Sequence, residues 1–73
     1  MNIKEARLLF QTGVLREPVI RKEEGGWSVT LTGRHPLTPQ LETARGQVRI
    51  FKTLDAAAEV LFEIGFRNAR ITR

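Results

Sequence analysis

The apolar positions of this chain fall into regular stretches that turn-forming residues separate. Near the N-terminus, Asn2 followed three residues later by Glu5 is typical of a helical capping box. Apolar residues then recur at three- and four-residue spacing until Gly13, so the sequence predicts a helix over residues 3–12. Its apolar face consists of Ile3, Ala6, Leu9 and Phe10. Leu8 falls on the opposite side, where we expect a single exposed leucine.

A β-hairpin is predicted next. Residues 18–22 are short and β-rich, residues 23–26 supply a turn, and residues 27–32 alternate strictly between apolar and polar side chains. Successive side chains of a strand point to opposite faces. The apolar set, expected to face the core, is Trp27, Val29 and Leu31. The polar set, expected on the other face, is Ser28, Thr30 and Thr32.

The middle of the chain is predicted as a loop over residues 33–39, which holds the only histidine, His35, followed by a short edge strand over residues 40–43. Residues 47–52 read as a further strand. In it, Val48 and Ile50 are expected to turn inward, which places Arg49 on the polar face.

A second amphipathic helix is predicted from a Thr53 cap to about Ile64, with Gly65 as its stop and a final strand over residues 68–72. Its apolar stripe is Leu54, Ala57, Ala58, Leu61 and Ile64, widened by Val60 and Phe62. Its solvent side carries Asp55, Glu59 and Glu63, spaced four residues apart. The sequence therefore predicts one α+β domain over residues 1–73. It has one mainly antiparallel sheet of three to five strands, with an N-terminal helix and a second helix packed on one face.

The amino-acid composition limits the kinds of functional site that this chain can form. The 73 residues include no cysteine or tyrosine and one histidine. No nucleophile, metal-ligand or cofactor constellation is evident, so we expect neither catalysis nor a metal nor a cofactor. No apolar run is long enough for a membrane span and no signal peptide is evident, so we expect a cytoplasmic protein without a membrane partner.

Charge is unevenly distributed. The net charge is +4, with 12 Lys and Arg residues against 8 Asp and Glu residues. Basic residues gather on the predicted sheet and the C-terminal tail, whereas the second helix presents only acids, and no acid lies between Ala44 and Leu54. A basic sheet face has the ingredients for phosphate contact. The candidate nucleic-acid-binding residues are Thr30, Thr32, Arg34, Arg45, Arg49 and Lys52. An ordinary polar sheet face is an equally good interpretation of the same pattern.

Two resemblances bear on this prediction. The first resemblance rests on Gly26-Trp27, the strand that follows, residues 49–53 and the alanine-rich helix at residues 56–58. Together these segments resemble the three-strand-plus-helix DNA-binding domain that precedes tyrosine recombinase catalytic domains. That resemblance implies insertion of the sheet into the major groove. The second resemblance rests on three segments, IKEARLLFQTGVL, GGW and RGQVRIFKTLDAAAEVLFEIGF. They are similar to segments of small partition-associated (ParC-type) proteins of bacterial plasmids and integrative elements.

These similarities imply a non-enzymatic accessory factor of a mobile element that acts with DNA or with a partition protein. The alternative is a protein-interaction module, such as a homodimeric adaptor, that uses Leu8, the edge strand or the acidic helix to engage a basic partner. Charge segregation favours DNA, whereas an exposed apolar strip or a free strand edge would favour a protein partner.

Overall fold

Two helices and three strands form the regular part of the computed structural model, which describes residues 1–33 and 40–73. In chain order they are α1 (Ile3–Gln11), β1 (Val19–Glu23), β2 (Gly26–Thr30), α2 (Leu54–Ile64) and β3 (Arg70–Thr72). Apart from Gly33, the loop predicted over residues 33–39, with His35, lies outside the described residues. In the described part of the chain, neither helix is long and apolar enough to cross a membrane.

Both helices begin where their caps predict. The Asn2 side chain accepts a hydrogen bond from the Glu5 amide at 2.8 Å, and the Glu5 carboxylate accepts one from the Asn2 amide at 3.1 Å, which confirms the capping box. The Thr53 hydroxyl accepts a hydrogen bond from the Ala56 amide at 3.1 Å and thereby caps α2. Gly65 ends α2 with a φ of 131°, a conformation that side chains disfavour.

The sheet has the order β2-β1-β3. Strands β1 and β2 form the predicted antiparallel hairpin, in which Val19 pairs with Thr30 and Glu23 pairs with Gly26. Strand β3 pairs with β1 in parallel, with Val19 opposite Arg70. The sheet is therefore mixed rather than mainly antiparallel. The chain enters β3 after α2, and such a helical crossover is the connection that parallel neighbours require.

Residues 40–51 attach to the outer edge of β2 without forming the two regular strands that the sequence predicts. The Leu41 amide donates to the Val29 carbonyl at 2.8 Å, and Trp27 and Phe51 exchange two backbone hydrogen bonds of 2.8 Å. These contacts are isolated bridges. Leu41 and Phe51 are both buried, so two apolar anchors and a few backbone bonds hold this segment.

The core lies between the sheet and the two helices. Its buried apolar residues are Ala6, Ile20, Val29, Leu31, Leu41, Phe51, Ala57, Leu61, Ile64 and Phe66. The Phe10 and Phe66 rings meet edge to face with centroids 4.8 Å apart and join α1 to the end of α2. Val29 and Leu31 face the core as predicted, whereas Trp27 is only partly buried.

Helix α2 is rotated slightly from its predicted placement. Ala57 and Leu61 are buried as predicted, but Ala58 is exposed and Phe62 retains 67% of its accessible surface. The acids on its solvent side are exposed, in agreement with the prediction. Leu8 on α1 is 58% exposed, which confirms that expectation too. The apolar stripe of α2 is therefore wider than the surface that the small sheet covers, and the side chains at the edge of the stripe remain exposed.

Candidate nucleic-acid interface

The pairing register separates the sheet into two chemically different faces. Ile20, paired with Val29 and with Ile71, points toward the helices. Since side chains alternate, the residues next to these point away from the helices. We call this second surface the basic face. The residues of this face are Val19, Arg21, Glu23, Ser28, Thr30, Arg70 and Thr72, that is, two arginines and one glutamate among them.

Arg21 and Arg70 supply the positive charge of the basic face. Both are exposed, and they project from adjacent strands at diagonal positions, because Arg70 pairs with Val19 whereas Arg21 pairs with Thr72. Arg70 lies 3.9 Å from the Glu17 carboxylate in a contact with both side chains more than half exposed. Such surface pairs are weak and a phosphate can compete with them. Within the described residues, Arg21 forms no salt bridge.

The predicted polar residues are less open than the alternation alone suggests. Ser28 is fully buried, and its hydroxyl donates to the Glu23 carboxylate at 3.2 Å. Thr30 is partly buried, and the Thr32 hydroxyl donates to the Glu17 carbonyl at 3.2 Å. Ser28 therefore lies on the predicted face but is buried there. Residues 40–51 explain this burial in part, because Ile50 packs close to Gly26 on this side of β2.

Arg49 is not on the basic face. Its guanidinium carbon lies 5.0 Å from the ring centroid of Phe51, and its side chain is partly buried there. Conversely, Val48 and Ile50, predicted to turn inward, are 42% and 43% exposed. The predicted orientation of this segment is inverted. The backbone pairing of Trp27 with Phe51 decides which side chains of this segment face the core, since it directs Phe51 into the core and Ile50 away from it.

The remaining predicted cations lie at the outer edge of β2. Arg45 is exposed in a tight turn, where the Thr43 hydroxyl accepts hydrogen bonds from the Arg45 and Gln47 amides at 3.3 and 3.4 Å. Lys52 is exposed immediately before the α2 cap. Arg34 lies outside the described residues. The structure therefore places Arg45 and Lys52 beside the sheet rather than on it.

Sequence reasoning missed Arg21 and Arg70. The alternation of Ile20 and Arg21 in β1 is a signal that could have identified the first, because the hairpin register follows from its short turn. The parallel pairing of β3 with β1 leaves no comparable local signature, so the position of Arg70 beside Val19 required the fold.

No family model, no curated protein and no solved structure matches this chain. The similarities to partition-associated proteins and to the recombinase domain therefore remain predictions from sequence.

Proposed function

We propose that this protein is a non-enzymatic DNA-binding accessory factor, of the kind that mobile elements carry, and that it contacts phosphates through the basic face. The observation that carries the proposal is the pairing register, which sets Arg21 and Arg70 at diagonal positions of adjacent strands, on the sheet surface that faces away from the helices. The net charge of +4 favours an anionic partner.

The groups on this face suit phosphate contact. The planar guanidinium of arginine donates two parallel hydrogen bonds to phosphate oxygens. Arg45 and Lys52, exposed at the β2 edge, would extend the contact along a duplex. With about four phosphates neutralised, binding belongs to the non-specific range of roughly 1–100 μM at physiological salt and weakens steeply as salt rises.

The test is fluorescence anisotropy of a short labelled DNA duplex at about 50 mM and about 200 mM salt. The Arg21→Gln/Arg70→Gln variant should bind more weakly, and its log–log salt slope should be smaller by about 2, since each lost phosphate contact removes about 1. The matched control is Lys4→Gln/Arg7→Gln, which removes the same charge from exposed positions of α1.

The control should retain the salt slope of the wild type and most of its affinity. Equal weakening in both variants would mean that only net charge matters. The absence of binding by the wild-type protein at the lower salt concentration would eliminate the DNA proposal. Trp27 fluorescence during urea unfolding verifies that both variants are folded.

A further inference from the structure

A groove runs along the opposite side of the sheet, between α2 and β3. Its volume is about 750 Å³, which is within the range of ligand-binding clefts. Ile20 and Leu61 lie at its apolar base. Its walls carry Phe62, which is 67% exposed, and Ile71, which is 48% exposed. Two large apolar side chains thus face each other across an open groove.

The helix wall of this groove is acidic. We use "acidic row" for Asp55, Glu59 and Glu63, which line the groove together with the apolar residues. All three are exposed, and none forms a salt bridge with another described residue. Their four-residue spacing aligns them along one side of α2. Arg67 also lines the groove beyond the end of α2, so the lining carries three carboxylates and one guanidinium. Its net negative charge disfavours phosphate, so this groove and the basic face select different partners.

The strand wall is a sheet edge with which no other strand of residues 1–33 and 40–73 pairs. Strand β3 ends the order β2-β1-β3, and the Arg70 amide donates inward to the Pro18 carbonyl at 2.9 Å. Because backbone groups of successive residues point to opposite sides of a strand, the amide and carbonyl of Ile71 point outward. A free edge of this kind pairs readily with another extended chain.

We propose that the α2–β3 groove binds an extended segment of a protein partner that adds to β3 as a further strand and carries alternating basic and apolar residues on its helix-facing side. An apolar side chain fills the space between Phe62 and Ile71. Lysine or arginine on either side of it reaches the acidic row, with its methylene stem lying on apolar surface.

Charge argues against a second copy of this chain as the occupant. A two-fold pairing of β3 edges would place both α2 helices on the same side of the joined sheet, with their acidic rows next to each other. The carboxylates of the two neighbouring acidic rows would repel each other, and no residue of α2 between Leu54 and Ile64 is basic. A basic segment from a different protein neutralises the same row.

The first experiment compares three capped heptapeptides by titration into the isotopically labelled protein, followed by amide NMR shifts. The probe TKTITKT presents lysine, isoleucine and lysine on one side of a strand. TETITET reverses the charges, and TKTSTKT removes the apolar residue. We expect TKTITKT to bind at least tenfold more tightly than either of the others, with its largest shifts at β3 and along α2.

Two variants locate the site. Phe62→Ser and Glu59→Lys should each weaken TKTITKT binding by several-fold, and both change exposed side chains, so the fold should be retained. Their matched controls are Leu8→Ser on α1 and Glu24→Lys in the hairpin turn, which should leave the affinity unchanged.

Three results would overturn the proposal. Equal binding of TETITET would show that charge is irrelevant, and shifts away from the groove would place the site elsewhere. A concentration-dependent dimer in sedimentation that Phe62→Ser abolishes would assign the groove to a second copy of the chain.

Discussion

The two faces of the sheet differ in sign and in apolar content although the same strands build them. Ile20 and Ile71 point to the helix side, where they line the acidic α2–β3 groove. Their neighbours Arg21 and Arg70 point to the basic face. Because the side-chain period of a strand is two residues, a slip of one residue would exchange these surfaces. Two opposite chemistries therefore depend on one register.

The largest expected effect concerns the helix side of the sheet, where α2 packs on the core. Leu61 is 2% exposed at the centre of α2, so Leu61→Ala should lower the free energy of unfolding by about 2–5 kcal/mol. Phe62→Ala, one position along, should change it by less than about 0.5 kcal/mol, because that ring already lies in solvent. Urea unfolding measures both. Similar losses for the two variants would contradict the observed rotation of α2.

A second prediction tests the bridge that sets the register at the β2 edge. A Cβ atom at Gly26 would lie 2.1 Å from the Phe51 carbonyl oxygen, and the φ of this glycine is 155°. Gly26→Ala should therefore cost roughly 1–3 kcal/mol by displacing residues 50–51. Gly25→Asn is the control, since a Cβ at Gly25 meets no atom within 4 Å and asparagine tolerates positive φ.

For this prediction, the amide shifts of Trp27 and Phe51 should move in Gly26→Ala and stay in place in Gly25→Asn. A Gly26→Ala protein of wild-type stability would show that the bridge is dispensable.

The smallest expected effect concerns Arg49, which lies against Phe51 on the helix side of the sheet. Arg49→Gln should lower the free energy of unfolding by roughly 0.5–1 kcal/mol, the usual strength of a cation–π contact near the protein surface. Its effect on DNA affinity should be smaller than that of Arg21→Gln. Urea unfolding measures the change in stability, and fluorescence anisotropy measures the change in DNA affinity. A greater loss of affinity from Arg49→Gln than from Arg21→Gln would indicate that the DNA interface lies at the β2 edge.

Much of the fold could be predicted from short-range pattern. The capping box at Asn2, the Thr53 cap, the Gly65 stop and the hairpin all involve residues that lie close together along the chain, so composition and spacing are sufficient to find them. The acidic side of α2 follows from four-residue spacing in the same way. These features restrict the protein to a small α+β domain before any long-range contact is known.

The candidate site could be predicted only in part. Thr30 does lie on the face opposite the helices, and Arg45 and Lys52 are exposed. The prediction for Arg49 is wrong, because the alternation of residues 47–52 fits equally well with either set of side chains facing inward. Only the pairing of Phe51 with Trp27 selects one of them.

Sequence by itself determined the elements, their caps and the separation of acidic from basic segments, since these depend on neighbours along the chain. Tertiary structure alone decided that β3 joins β1 in parallel and that Arg21 and Arg70 lie on one face of adjacent strands. It also decided that Phe62 and Ile71 enclose a groove. The physical reason is that hydrogen-bond pairing between distant strands sets which side of the sheet each residue faces, and no local preference encodes that choice.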